Sequence, residues 1–299
     1  VEAPGVLAGI LNDALHGSLQ AIYDIRESPC LSNAPVPLAS TKELRHFFSR
    51  HNTAVDTSRG CPFDCSFCTI INVQGRKMRS RSAPALLETI KLHYQKGIRS
   101  FFFTDDNFSR SPIWEELLDG LIALRNAGIP IQFMMQIDTA AYRIPHFIEK
   151  AAQAGCFQVF VGVESMNAQN LASAGKAQNR VQDYVAMVEA WHALNILVYA
   201  GYIIGFPYDT PESVAKDIEL LSTEVKVDTA AFFMLTPLPG SRDHKQMTET
   251  GVFLDADLNN YDACHETFAH RNFAPGAWKQ TCRQAWECFY TKEKITNIL

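Results

Sequence analysis

Arg59-Gly60-Cys61-Pro62-Phe63-Asp64-Cys65-Ser66-Phe67-Cys68 puts three thiols in one short loop, spaced C-x3-C-x2-C, with no fourth cysteine beside them. A four-iron cluster takes four ligands, normally all thiolates. Three from one loop leave one iron open to something that is not protein. An open coordination position is what separates a working metal site from a closed structural one. The same residues also read as a zinc knuckle lacking its fourth ligand, or as three cysteines that are merely close.

The segments around this loop alternate. Thr53–Thr57 reads as a short strand leading into it. Ser82 is placed to cap a helix that starts with Pro84 and runs to about Gln95, stopped by Gly97. Further strands are expected over Ser100–Thr104, Ile131–Ile137, Phe157–Val163, Leu197–Ile204 and Thr229–Leu235. Helices are expected over Pro112–Asn126, Ile144–Ala154, Val181–Leu194 and Pro211–Thr223. Strand–helix alternation of this kind predicts a parallel α/β sheet with covering helices. Six strands are too few for a closed eight-stranded barrel of ~250 residues, and an open doubly wound sheet is one reading of them. Residues 1–52 differ: Leu7–Leu15 has helical apolar spacing ending at Gly17, and Pro29, Pro35 and Pro37 mark an extended linker. The tail from Thr250 is aromatic, and Trp278–Tyr290 is expected as a terminal helix capping one end of the barrel.

At 299 residues and 47% hydrophobic content, the chain can bury a sizeable core, and its net charge of −5 argues against a nucleic-acid-binding protein. No apolar run is long enough for a membrane span. The chain opens at Val1, and its first residues read as the end of something upstream.

With aromatic Phe67 just before the last thiol, the cysteine loop resembles that of the radical S-adenosylmethionine (radical SAM) enzymes. In that family the open iron is chelated by the amino and carboxylate groups of SAM, and an electron from the [4Fe-4S] cluster releases a 5′-deoxyadenosyl radical. The resemblance extends over residues 53–241 and implies a partial (β/α)6 TIM-type barrel, followed by a C-terminal helical and loop extension over 242–299. It also implies site residues at the strand ends. Asp105 and Asp106 are the candidates for the SAM amino group, although the family usually shows a Gly-Gly-Glu-type run there, and which aspartate acts stays open. Gln136 ends the third strand, facing the same cavity. Glu164 and Ser165 match the polar pair that reaches the ribose and the methionine carboxylate. Gly201-Tyr202-Ile203-Ile204-Gly205 matches a G-x-I-x-G motif, so that Ile203 and Gly205 pack on adenine, with Phe67 offering backbone contacts. No residue is singled out as catalytic.

Four basic residues and no acid lie between Asp64 and Glu88, which suggests Arg forks for the SAM carboxylate or an acidic substrate. The whole stretch resembles the cobalamin-associated class of the family, whose linker after a cobalamin-binding domain the Pro29–Pro37 region would match; residues 1–52 would be the end of that domain and its linker. That class implies methylation or rearrangement of an organic substrate, a flavodoxin- or ferredoxin-like electron donor, no nucleic acid, and a reducing cytoplasm. A methylthiotransferase-like enzyme would need a second cluster, and the spacing of Cys264, Cys282 and Cys288 matches no compact ligand pattern. A non-catalytic iron–sulfur or zinc protein is the remaining alternative.

Overall fold

Short runs of β-branched and aromatic residues form six strands in the computed structural model, which describes residues 6–23, 28–38, 40, 42–43 and 51–298. They are β1 (Asn52–Val55), β2 (Ser100–Phe103), β3 (Gln132–Ile137), β4 (Cys156–Glu164), β5 (Leu197–Ile204) and β6 (Thr229–Met234). All pair in parallel, and their order across the sheet follows their order in the chain. A doubly wound sheet reverses its order at a switch point, and this one does not. Right-handed crossovers between successive neighbours carry the helices to one side, which is the partial barrel. Five covering helices follow β2's predecessor through β5: α1 (Ala83–Gln95), α2 (Trp114–Asn126), α3 (Phe147–Ala154), α4 (Tyr184–His192) and α5 (Pro211–Thr223).

Each strand alternates between two environments. Phe101, Phe103, Phe133 and Met135 are buried toward the helices, with Phe103 stacked on Phe133 at 4.7 Å. Phe102, Met134 and Gln136 point the other way into the half-open barrel, where Gln136 lies beside Phe160 of β4. The period of two along a strand therefore delivers polar side chains to one mouth.

Helix starts follow local chemistry. At α5, Thr210 Oγ1 accepts from the Ser213 N–H (3.2 Å) and Ser213 Oγ accepts from the Thr210 N–H (2.9 Å), a reciprocal cap ahead of Pro211. Ser82 does occupy the N-cap position of α1, but its side chain makes no cap bond. Helix α3 begins later than its sequence suggests, because His146 turns through a left-handed conformation (φ 61°) just before it.

The C-terminal helix corrects an expectation. α6 (Ala277–Phe289) does not cap an end of the barrel; it lies along the outside of β6. Trp278 near its start donates to the Ile204 carbonyl at the C-terminal end of β5 (2.9 Å), while Tyr290 just past its end reaches Ala230 at the start of β6. It thus runs antiparallel to β6 and acts as the sixth covering helix, burying Trp278, Cys282, Ala285 and Phe289 at helical spacing. The Tyr290 hydroxyl accepts from the Ala230 N–H (2.9 Å) and donates to its carbonyl (2.7 Å), closing part of an otherwise open sheet edge.

The N-terminal helix Leu7–Leu15 forms as expected and buries none of its residues. Residues 28–38 strap onto the barrel instead of hanging free, with Leu31 buried and Val36 packed on the core. Residues 1–5, 24–27, 39, 41 and 44–50, part of the stretch read from the sequence as the end of an upstream domain and its linker, lie outside the described residues. Among the described residues, no helix is long and apolar enough to cross a membrane.

Removing the indole that fastens α6 tests its place in the fold. Trp278→Ala should cost roughly 3–5 kcal/mol, the range for a fully buried aromatic. A denaturant midpoint unchanged from the parent protein would show that α6 is an appendage.

Candidate functional site

The cysteine loop is fastened from several directions. Asp105, fully buried after β2, accepts from the Thr57 N–H (3.1 Å), the Thr57 hydroxyl (2.6 Å) and the Ser58 hydroxyl, locking the exit of β1. Ser58–Arg59 then pairs antiparallel with Arg79–Ser80. Gly60 passes beside this hairpin at φ +98°, where a Cβ would lie 2.7 Å from the Lys77 carbonyl oxygen. Only glycine accommodates both conditions. Its N–H donates to Asp106 Oδ2 (3.0 Å) and Gln74 Oε1 (3.1 Å), and the Cys61 N–H donates to the Gly75 carbonyl (3.2 Å). Farther along, the Ser66 N–H donates to Ala174 O (2.8 Å), the Asp243 N–H donates to Ser66 O (3.1 Å), and Arg242 donates to Asp64 O (2.7 Å).

Cys61, Cys65 and Cys68 line one cavity of about 390 Å3 at the C-terminal ends of the strands. Its other walls are Phe63, Phe67, Asp106, Asn107, Gln136, Asp138, Phe160, Gly162, Glu164, Lys176 and Gln178. All three cysteines are free thiols. Burial pushes up the Cys61 thiol and takes Cys68 to about 11, while Lys176 pulls both the other way. Among the described residues, no three His, Cys, Asp or Glu side chains gather around one point as ligands of a single ion. A cuboidal cluster has no such requirement, since each thiolate takes a different iron. Three free thiols on one wall, with a cation facing them, fit a cluster held by three cysteines.

Two ion pairs shape the cavity. Glu164 Oε1 lies 2.6 Å from Lys176 Nζ, and both side chains are largely buried. Burial opposes the charge on Lys176, but Glu164 and Cys65 outweigh it and hold the lysine above its usual range. The pairing of β4 with β5 slips between Gly162 and Glu164, and Glu164 sits at φ 66°, a conformation that costs a non-glycine residue about 1–3 kcal/mol. Such strain collects where function requires a particular side-chain direction. Asp138 forms a two-pronged pair with Arg110 (2.6 and 2.8 Å) and also accepts from Asn107 and Ser109. Burial raises its pKa, and these partners together bring it below the ordinary aspartate value.

Of the residues expected at the site, Phe67, Asp106, Gln136, Glu164 and the three cysteines line this cavity; Asp105, Ser165, Ile203 and Gly205 do not. Asp105 faces the β1 exit, as described. Ser165 is fully buried behind the wall, accepting from the Asn167 N–H (3.1 Å) and from Asn170, whose amide also donates to Asp209 (2.6 Å). Asp209 in turn accepts from the Gly205 and Phe206 N–H groups (2.8 and 2.9 Å). The chain's own rings pack closely on these glycines: a Cβ on Gly205 would lie 2.1 Å from Trp278, and one on Gly201 would lie 2.7 Å from Phe160.

The arginine forks are also spent elsewhere. Arg81, 5% exposed, binds the Asp56 carboxylate (3.0 Å) and the Ala34 and Pro35 carbonyls, and Arg79 donates to Pro29 O (2.8 Å). They hold the 28–38 strap to the barrel. Lys176 and Gln178 are among the wall residues that sequence reasoning missed. Lys176 comes back to the cavity because the short helix Ala168–Ser173 reverses the chain, its own N–H closing onto Leu171 O (2.9 Å).

The sequence profile of the Radical SAM superfamily matches residues 55–221. The chain belongs to the radical SAM superfamily. It is 32% identical over 219 residues to the bacteriochlorophyllide d C-12(1)-methyltransferase of Chlorobaculum tepidum, covering 71% of this chain and 45% of that protein. An uncharacterized methyltransferase of Pyrococcus horikoshii is 29% identical over 246 residues, 81% of this chain and 52% of its own length. The chain therefore spans about half the length of these relatives. Among solved structures, the cobalamin-dependent radical SAM enzyme OxsB with aqua-cobalamin bound superposes with a TM-score of 0.66 at 16% identity, covering 93% of this chain and 49% of that one. The radical SAM methyltransferase TsrM from Kitasatospora setae gives 0.61 at 17% identity, over 79% and 47%. At these identities the likeness is one of fold, and it is the radical SAM partial barrel.

Burial raises the Asp105 carboxyl to about 6, against the hydrogen bonds it accepts from Ser58 and Thr57. A carboxyl whose pKa is higher folded than unfolded contributes stability at low pH that is lost as pH rises, here between about 4 and 6. Asp105→Asn should remove that loss, so its melting temperature relative to the parent should rise as pH increases through this window. A difference that stays constant from pH 4 to 7 would mean that Asp105 does not titrate there.

Proposed function

We propose that this radical SAM chain holds a [4Fe-4S] cluster through Cys61, Cys65 and Cys68, binds SAM in the adjoining cavity, and serves methylation of an organic substrate. The observation that carries the reading is the shared cavity: three free thiols and an ionised Glu164–Lys176 pair meet at the C-terminal mouth of a parallel partial barrel. Mouths of this kind collect side chains from several strand ends at once.

When bound, such a cluster supplies the electron for reductive cleavage of SAM. The chain's own residues bind, orient and exclude water. Asp106 and Glu164 offer carboxylates to an ammonium group or to hydroxyls, and Lys176 supplies a fixed positive charge suited to a carboxylate. Of the two aspartates after β2, Asp106 takes the amino-group role, since Asp105 is committed to Thr57 and Ser58. Phe63, Phe67 and Phe160 give the wall an apolar part, which helps to keep water from a reactive intermediate. Phe206 packs edge-on against Phe67 at 5.9 Å and steadies it.

Methylation, and the use of cobalamin by the whole protein, draw support from the relatives. Several are named methyltransferases, and OxsB and TsrM have structures with cobalamin bound.

Anaerobic reconstitution should give about four irons per chain. Dithionite should then drive conversion of SAM to 5′-deoxyadenosine and methionine. Cys61→Ala, Cys65→Ala and Cys68→Ala should each abolish both iron retention and product. Normal iron in any one of these variants, or a full cluster that yields no deoxyadenosine, would defeat the proposal.

A further inference from the structure

The three thiols of the cysteine loop do not draw their hydrogen bonds from one source. Burial raises the Cys61 and Cys68 thiols, and the backbone N–H groups of Phe63 and Ile70 pull them the other way. Those donors belong to the loop and its continuation. Cys65 has a different one: the side-chain amide of Gln178, 113 residues further along the chain, whose Nε2 lies 3.8 Å from the Cys65 Sγ. The segment that carries Gln178 is packed along the loop. Ala174 O accepts from the Ser66 N–H (2.8 Å), and a Cβ on Gly175 would lie 2.7 Å from the Asp64 carbonyl oxygen. From the opposite side, the Thr139 hydroxyl just past β3 donates to the Gln178 carbonyl (3.2 Å) and to Asn179 Oδ1 (3.0 Å). The Asn179 amide then donates to the Gly162 and Val163 carbonyls at the end of β4 (2.9 and 2.8 Å). The backbone on either side of Gln178 is therefore fixed, and its amide faces the cavity. A thiolate accepts only from the Nε2 end of that amide, since Oε1 in its place would set two acceptors together.

We propose that Gln178 is a positioning residue that sets the reduction potential of the cluster, by donating its amide N–H to the sulfur of Cys65. The inference rests on the functional reading above, in which the three thiolates hold a cluster. In the step concerned, a one-electron reductant loses one electron and the cluster gains it; no bond forms or breaks. The added electron increases the negative charge shared by the thiolate sulfurs. A donor aimed at one of them stabilises the reduced cluster more than the oxidised one, and so raises its potential. Lys176 also faces the thiols, but its charge is offset by Glu164 at 2.6 Å. The amide of Gln178 has no such counterweight at the sulfur it meets. Because this donor is a side chain from a distant segment, one substitution removes it without touching the backbone of the cysteine loop.

The test is an EPR-monitored redox titration of the reconstituted full chain, anaerobic and without SAM, with iron content measured beside it. Gln178→Leu keeps the bulk of the side chain and loses the donor. At the potential where the parent cluster is half reduced, its ratio of reduced to oxidised cluster should fall about threefold, a midpoint lower by roughly 28 mV at about 59 mV per tenfold for one electron. Gln178→Lys keeps a donor and adds a positive charge, so its midpoint should rise by at least as much. Iron should stay at about four per chain in both variants. A parental midpoint in a fully loaded Gln178→Leu protein overturns the inference. So does a downward shift in Gln178→Lys as well, which would mark Gln178 as a prop for the loop rather than a donor to its sulfur. If Gln178→Leu loses its iron, Gln178→Lys decides alone: a raised midpoint supports the inference, and an unchanged or lowered one overturns it. If the parent protein itself retains no cluster, the functional reading fails first and this inference falls with it.

Discussion

A loop that presents three free thiols to a cavity has no hydrogen-bond ladder of its own, so its neighbours must give it shape. The buried carboxylate of Asp105 begins that work by taking three hydrogen bonds from Thr57 and Ser58 at the point where β1 hands the chain to the loop. Everything downstream inherits the direction set there. The short hairpin passes beside Gly60, Asp106 accepts from its N–H, and Ala174 and Asp243 hold Ser66 from the far side. The adjacent aspartates therefore divide the labour: Asp105 faces into the protein to fix the loop, and Asp106 faces the cavity that the loop encloses.

The same economy governs the strand ends. A slip in pairing at the end of β4 turns Glu164 toward Lys176, and Ser165 is drawn back into a buried chain that runs through Asn170 and Asp209 to the backbone of Gly205 and Phe206. Phe206 then rests on Phe67 of the cysteine loop. The β5 exit and the cysteine loop are thus joined by a continuous run of packed and hydrogen-bonded contacts. Gly201 in β5 and Gly205 just past its end serve this packing, making room for Phe160 and Trp278.

Much of the architecture was legible because it depends on local signals. Apolar runs of strand length, Pro211 at a helix start and Gly97, Gly128 and Gly155 at helix ends locate the elements to within a few residues. The cysteine spacing locates the cavity. Less legible was whatever depends on where distant segments meet. Lys176 gives no periodic signal, and only the reversal after Ser173 brings it to Glu164. Arg79 and Arg81 look like ligand-binding forks until residues 29–35 are seen to lie against them. The amphipathic pattern of 277–289 predicts a helix, but not that its partner is the outer face of β6 rather than the barrel mouth.

The central claim is that Cys61, Cys65 and Cys68 leave one iron open toward the Glu164–Lys176 cavity. EPR spectroscopy of the reconstituted, reduced protein, recorded anaerobically with and without SAM, tests it most directly. A cluster spectrum that changes when SAM is added is the predicted result, because SAM would enter the coordination of that iron. A spectrum identical with and without saturating SAM would contradict the account and mark the cluster as closed.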